Sequence, residues 1–436
     1  MLALLLAGAI YGIKTLVFYL NSGAITITSD SNDSLVFTIF AEDDSIYAER
    51  RDEVANGTLN KSTSLRVWKG EYTIEISRAV DEGSDNSVTA RTSKYLTINS
   101  GETYSVVLPL AATVRPESVV KGSNLDGLYV ESGRASYARS GSIYETALTG
   151  LVETPFVVSF RSLAKANLPP GSTVNVLGYE PVDVEYACRL VDKVFFAFIN
   201  SGYYLVEPNK ATALSSSILD NRSTDDFNCT SIGLVVEGQY LLDDSGKFTT
   251  INQDSSFNSI ATDKKDSVLI YRNVDAYDSD LDPSKSADDN QTPSQSPSTS
   301  ALWYIGGISA DPEEVNFNEI ITVASPISNL YVVASTDIGL LVYDRESTSI
   351  RRIIATTDKT GITSIKSFGD GFVYSTRNVI WYYSLVDDLS RIVTSGDQIK
   401  NGTLVVSGKS IVYVTSTTSY PSGEKVETLR MINYAP

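Results

Sequence analysis

The sequence predicts an all-β protein, and three observations support this prediction. Short runs rich in Val, Ile, Tyr, Phe and Thr recur along the 436 residues, and Asn, Asp, Gly and Ser separate them. Many of these runs alternate apolar and polar residues, which is the period of a half-buried strand. Hydrophobic residues make up 42% and charged residues 20%, as in folded globular proteins. The length exceeds that of a single ordinary core, so we expect two or three domains.

The first residues of the chain are the exception to the strand pattern. Residues 2–20 read LALLLAGAIYGIKTLVFYL and carry one charge, at Lys14. Their length matches a bilayer core at a rise of about 1.5 Å per residue. We therefore predict an N-terminal transmembrane helix over residues 1–21, with the membrane as its partner. A cleaved signal peptide and a buried helix of a soluble protein are the two alternatives.

The charges that follow this segment predict its orientation. No Lys or Arg occurs between Asn21 and Glu49, and a flank without positive charge favours export. We therefore expect a single-pass protein of the cell membrane, with residues 22–436 on the extracytoplasmic side.

The first predicted β domain covers residues 22–112. Its strand candidates lie in GAITITSDSNDSLVFTIFAED from Gly23, GEYTIEIS from Gly70 and KYLTINSGETYSVVLPL from Lys94. The middle strand has a Gly-x-Tyr pattern and the closing strand follows a Gly-Glu turn, and this order of features resembles the PEGA family of surface domains. The resemblance implies a small β-sandwich that acts as a spacer or contacts glycans or proteins, without catalytic residues.

After a predicted linker at residues 113–122, residues 123–436 carry an internal repeat. Equivalent aromatic residues and equivalent arginines recur every 40 residues: Trp303, Tyr343 and Tyr383, and Arg351 and Arg391. Each period contains four strand candidates. A period near 40 with four short strands is typical of a β-propeller blade, so we predict a propeller of six or seven four-stranded blades. A β-solenoid would have shorter repeats.

One predicted blade is interrupted at residues 274–300, whose Pro, Ser and Asp content predicts a disordered, solvated insertion. Asp278, Asp280 and Asp282 lie at alternate positions within it, as the oxygen ligands of a calcium loop do. Pro283 stands where an EF-hand loop needs Gly. These residues are candidate metal ligands, and a solvated acidic loop is the alternative.

Aromatic residues form the second candidate site. Trp381 and Tyr382, together with Trp303, are candidate ligand-binding residues that would stack on sugar rings, although strand alternation would bury part of this set between blades. Acidic pairs such as Asp387 and Asp388 are candidates for a glycosidase carboxylate pair, which requires a separation of about 5–10 Å across a cleft. Charged turns explain such pairs as well.

Composition excludes several classes of function. The chain has no His, so a Ser-His-Asp triad and a His-ligated zinc or copper site are impossible. The two cysteines, Cys188 and Cys229, are predicted to be buried thiols in neighbouring blades, too far apart for a disulfide. The net charge of −18 argues against a nucleic-acid partner, which would need clustered Lys and Arg. We expect no cofactor and no enzymatic activity.

Anchor, sandwich and propeller together predict a protein displayed on the cell envelope. The loops of a propeller lie on one face of a rigid disc, which suits the docking of a partner. We expect a non-enzymatic interaction or scaffold protein that binds an envelope protein or a surface glycan. The alternative is an exported carbohydrate-binding or glycoside-hydrolysing protein that uses an aromatic and carboxylate cluster.

Overall fold

A computed structural model shows how the chain folds, and one helix and 36 strands occur among the residues that it describes. The described residues are 2–436 except 32–33, 43–51, 79–89, 111–112, 123–124, 132, 140–141, 149–152, 158–183, 191–192, 199–201, 208–209, 221, 223–225, 231, 252–256, 258, 263–266, 275–297, 309, 338, 355–360, 419–422 and 424.

The helix α1 (Leu2–Leu20) precedes the first strand. Within the described part of the chain, no helix is long and apolar enough to cross a membrane. This finding contradicts the transmembrane helix predicted over residues 1–21.

Seven strands form a β-sandwich directly after α1. One sheet has the order β4-β1-β7, with β1 (Ser22–Thr28), β4 (Ser62–Trp68) and β7 (Thr103–Val107). The facing sheet has the order β3-β2-β5-β6, with β2 (Leu35–Ala41), β3 (Asp52–Leu59), β5 (Gly70–Arg78) and β6 (Arg91–Ile98). Alternate residues of both sheets point inward and form one core, which includes Ile25, Ile27, Leu35, Phe37, Ile39, Ile74 and Ile76.

The rest of the described chain forms seven antiparallel sheets, called blades 1 to 7 in chain order. Blade 1 contains β9 (Asp126–Glu131), β10 (Arg134–Arg139), β11 (Ser142–Ala147) and β12 (Glu153–Val157). Blade 2 contains β13 (Val184–Leu190), β14 (Lys193–Phe198), β15 (Gly202–Glu207) and β16 (Lys210–Leu214). Blade 3 contains β17 (Phe227–Thr230), β18 (Gly233–Val236), β19 (Tyr240–Leu242) and β20 (Phe248–Thr250).

Blades 4 to 6 follow the same plan. Blade 4 contains β21 (Ser259–Thr262), β22 (Val268–Val274), β23 (Ser298–Tyr304) and β24 (Glu313–Phe317). Blade 5 contains β25 (Val323–Pro326), β26 (Tyr331–Thr336), β27 (Gly339–Asp344) and β28 (Ser349–Ile354). Blade 6 contains β29 (Ser364–Phe368), β30 (Gly371–Ser375), β31 (Val379–Ser384) and β32 (Leu389–Ser395).

Blade 7 combines strands from both ends of the ring. It contains β33 (Gln398–Ile399), β34 (Val405–Ser407), β35 (Ser410–Thr418), β36 (Lys425–Asn433) and, antiparallel to β36, β8 (Glu117–Gly122). Residues 113–122, predicted as a linker, therefore contain the outer strand of the last blade. The innermost strands of successive blades are in contact all the way round, including β34 with β9. The seven sheets thus form a closed, propeller-like ring.

The repeat of 40 residues corresponds to equivalent positions in successive blades. Trp303, Tyr343 and Tyr383 lie in the third strands of blades 4, 5 and 6, and Arg351 and Arg391 lie in fourth strands. The predicted propeller-like architecture is confirmed in this respect. Of the predicted insertion at 274–300, residues 275–297 lie outside the described residues.

The two cysteines form a disulfide, so the prediction of two free thiols is wrong. Cys188 lies on β13 and Cys229 on β17, which are the inner strands of blades 2 and 3. Because the ring brings inner strands together, their Cα atoms are 5.3 Å apart, within the range that a disulfide spans.

The sandwich and the ring share one sheet. Strand β6 of the sandwich pairs antiparallel with β32 of blade 6, where Thr92 lies opposite Arg391 and Ser93 opposite Ser390. The result is a continuous sheet of eight strands, β29-β30-β31-β32-β6-β5-β2-β3. Leu389 of β32 contributes to the sandwich core. The sandwich is thus fixed at one position on the rim of the ring.

Candidate functional site

A groove of about 590 Å³ opens at the rim of the ring between blades 4 and 5. It is lined by Glu313, Glu314, Val315 and Asn316 of β24, Tyr343 of β27, Arg345 and Thr348 of the following turn, and Ile350 of β28. Five of these eight side chains carry a charge or a hydroxyl group that can contact a ligand.

The alternation of β24 determines which side chains face blade 5. Val315 and Phe317 are buried in the core between blades 4 and 5, whereas Glu314 and Asn316 on the opposite face are exposed. Glu313 is on the same face as Val315, so its carboxylate is directed at blade 5. The strand therefore directs Glu313 and two apolar side chains at blade 5 and leaves Glu314 and Asn316 exposed on its other face.

Glu313 is the centre of the hydrogen-bond network in the groove. Tyr343 Oη donates to Glu313 Oε1 at 2.7 Å, and Arg345 Nε donates to Glu313 Oε2 at 2.8 Å. Burial and the adjacent Glu313 carboxylate raise the pKa of Tyr343 to about 12. The phenol therefore remains a hydrogen-bond donor at neutral pH, and it holds the carboxylate in place.

The equivalent place between blades 5 and 6 has a similar network. Tyr383, one period after Tyr343, donates its hydroxyl hydrogen to Asp388, and Arg351 Nη1 lies 3.1 Å from Asp388 Oδ1. Asp388 and Thr348, also one period apart, both have a positive φ, of 58° and 49°. The same turn therefore precedes the fourth strand in blades 5 and 6.

Between blades 5 and 6, the sandwich occupies the site that corresponds to the groove. Lys94 of β6 lies with its Nζ 3.8 Å from Asp388 Oδ2 and donates to the carbonyl oxygen of Asp387 at 3.3 Å. Arg352 of β28 pairs with Glu71 of the sandwich at 3.3 Å. A strand and its lysine thus fill the rim between blades 5 and 6, while the corresponding rim between blades 4 and 5 is an open groove.

The aromatic residues proposed from the sequence do not form one surface. Trp303 is fully buried, donates its Nε1 hydrogen to Ser267 Oγ at 2.6 Å and meets Tyr343 edge-on. Tyr382 is buried and donates to Asp370, and half-buried Trp381 stacks on Tyr374. Trp303 lies in blade 4, whereas Trp381 and Tyr382 point to opposite faces of blade 6.

The proposed calcium ligands Asp278, Asp280 and Asp282 lie outside the described residues. Among the side chains that the structure does describe, no group of three or more His, Cys, Asp or Glu is placed to hold a metal ion. Of the groove residues, the sequence repeat identified Tyr343 alone. Glu313 and Arg345 reach it from a neighbouring strand and a turn, and this proximity has no signal in the sequence.

Comparison with known proteins gives a likeness of architecture. No protein-family model and no curated protein sequence matches the chain, so the resemblance to PEGA domains is not shown. A puromycin hydrolase structure is 11% identical in sequence, with a TM-score of 0.41. The match covers 70% of this chain and 53% of the hydrolase chain. BamB from Moraxella catarrhalis is 10% identical in sequence, with a TM-score of 0.36. The match covers 71% of this chain and 84% of the BamB chain.

A luciferin-regenerating enzyme is also similar, at 9% identity and a TM-score of 0.37, over 73% of this chain and 95% of its own. The chain spans about half the length of the puromycin hydrolases that it matches. The prediction that the chain is not an enzyme is contradicted here, because enzymes are among the proteins of similar architecture. Since all three TM-scores are below 0.5, the likeness concerns general architecture.

Proposed function

We propose that this protein is an interaction platform of the cell envelope, in which the ring binds a partner protein through its rim. The observation that carries the proposal is the groove between blades 4 and 5. It is concave, and Glu313, Tyr343 and Arg345 converge in it on a framework of paired strands. Binding sites commonly combine such a concave shape with a few fixed polar groups.

The disulfide supports a location outside the cytoplasm. Cys188 and Cys229 join two blades covalently, and such bonds persist in secreted, periplasmic and surface proteins. In the cytoplasm, cellular thiols would keep this pair reduced. The proposed location is therefore the extracytoplasmic side of the envelope.

The positions of the aromatic residues favour a protein partner over a glycan. A sugar-binding surface needs an exposed aromatic face, but Trp303 and Tyr382 are buried, and half-buried Trp381 stacks on Tyr374. The groove instead offers carboxylates, a guanidinium group and the rim of a sheet, which are groups that bind polypeptides.

Crosslinking in intact cells tests this function. A photo-crosslinking amino acid replaces Asn316, an exposed residue of β24, in the full chain, and a matched chain carries it at Asp244, an exposed turn residue of blade 3. We expect illumination to attach one reproducible envelope protein at position 316 and not at 244. Attachment of no protein at 316, of the same set of proteins at both positions, or of glycan alone would contradict the proposal.

A further inference from the structure

We propose that the groove receives an extended strand of the partner protein, which pairs with the free edge of β24 and places a Lys or Arg side chain against Glu314. This inference rests on the proposed function and specifies how the partner binds. Blade 4 would then have five strands.

The lining of the groove shows that it follows the edge of β24. Successive residues of a strand point to opposite faces of its sheet, so a cavity on one face contacts every second residue. This groove contacts Glu313, Glu314, Val315 and Asn316 in succession. It therefore lies along the strand edge, where backbone N–H and C=O groups are available for pairing. In the described residues, β24 pairs with β23 and with no other strand.

The chain itself shows that a blade of this ring accepts a fifth strand. Strand β6 extends blade 6 by pairing with the outer strand β32. The added strand also contacts the neighbouring blade, since the guanidinium group of Arg352 on β28 lies over the ring of Tyr95. An added strand at β24 would likewise have blade 5 beside it, with Tyr343 and Ile350 as neighbours.

Charge specifies the incoming side chain. At blade 6 the added strand brings Lys94 to the carboxylate of Asp388. In the groove, Arg345 neutralises Glu313, but Glu314 is exposed and has no ion-pair partner among the described residues. A basic residue of the incoming strand would form an ion pair with Glu314. The net charge of −18 would attract a basic segment.

Tethering tests the inference without the cellular partner. The probe is a synthetic peptide with the sequence of β6, RTSKYLTI, attached through a short Gly-Ser linker to a cysteine introduced by Thr348→Cys in the full chain. The linker gives a millimolar effective concentration, so weak pairing becomes measurable. We expect hydrogen exchange of the amides in 313–317 to slow at least about threefold, because strand addition protects edge amides.

Matched variants separate pairing from mere proximity. A peptide with Glu in place of Lys94 should lose the protection, and Glu314→Lys in the chain should restore it for that peptide. The same peptide tethered at Asp244→Cys on blade 3 should not slow exchange in 313–317. Unchanged exchange in β24, or equal protection by both peptides, would overturn the inference. Because no cellular partner is involved, this result is independent of the crosslinking result that tests the proposed function.

Discussion

At the scale of single residues, Glu427 shows how the ring is closed. This side chain of β36 is 1% exposed, and its Oε2 accepts hydrogen bonds from the backbone N–H of Leu125 at 2.6 Å and from Lys400 Nζ at 3.2 Å. Lys425 lies 3.2 Å from the other oxygen. Leu125 directly precedes blade 1, so one carboxylate of blade 7 joins the last blade to the first.

The pKa of Glu427 reflects these contacts. Burial raises its pKa, but the charge of Lys400, the hydrogen bonds from Leu125 and Lys400 and the nearby Lys425 outweigh burial, so the pKa is lowered from 4.5. A carboxyl whose folded pKa is lowered adds stability above its unfolded pKa, and that stability is lost as the pH falls through the folded pKa.

We predict that Glu427→Gln lowers the free energy of unfolding by about 2–4 kcal/mol at pH 7, because it leaves Lys400 without its buried counter-charge. The difference from the wild type should shrink as the pH falls below about 4. Urea unfolding at pH 7 and pH 3 measures both effects. Glu117→Gln, at an exposed position of β8, is the control and should change stability by less than about 0.5 kcal/mol. An equal loss at both pH values would contradict this account.

At the scale of structural elements, the disulfide joins the inner strands of blades 2 and 3. Neighbouring side chains already pack there: Phe195 of blade 2 and Phe227 of blade 3 meet edge-on with ring centroids 5.5 Å apart. The disulfide adds a covalent constraint across 41 residues of sequence. Such a link stabilises the fold mainly by restricting the unfolded chain.

We predict that the double substitution Cys188→Ala, Cys229→Ala lowers the free energy of unfolding by about 3 kcal/mol. Denaturant unfolding with and without a thiol reductant provides the measurement. Reductant should bring the wild type close to the stability of the variant and leave the variant unchanged. Equal stability of the two proteins without reductant would show that the link contributes nothing.

The repeat predicted the propeller-like arrangement of the ring, because Trp303, Tyr343 and Tyr383 mark equivalent third strands at a constant spacing. They did not identify β8 as part of blade 7, because its pairing with β36 joins Val120 to Leu429, about 300 residues later. The disulfide was missed for a similar reason, since the separation of Cys188 and Cys229 depends on how closely the inner strands approach. The groove depends on contacts between blades, which a periodic pattern does not encode.

At the scale of the whole molecule, the sandwich and the ring are connected by strand pairing as well as by the chain. The junction contains the β6–β32 pairing, the contact of Lys94 with Asp388 and the ion pair of Arg352 with Glu71. A shared sheet transmits unfolding of one part to the other, so we expect the described sandwich and ring to unfold together.

We predict a single calorimetric transition for the wild type and two transitions for the double variant Lys94→Glu, Arg352→Glu. Each charge reversal replaces an attraction across the junction with a repulsion, which lowers the stability of the junction by about 1 kcal/mol. Adding Glu71→Arg should restore part of the coupling, because it re-forms one pair with opposite signs. Lys193→Glu, which disrupts the pair with Glu207 inside blade 2, should keep one transition. Two transitions in the wild type would contradict the prediction.

The closing strand of blade 7 also determines the order of events during synthesis. Strand β8 leaves the ribosome about 300 residues before β36, its partner in the sheet. At roughly 5–20 residues per second, this interval lasts about 15–60 s. During that time the nascent chain contains an unpaired edge strand directly after the sandwich, and the ring cannot close until translation has passed Met431. We therefore expect residues 117–122 to stay unpaired until β36 emerges, long after the sandwich strands have all emerged.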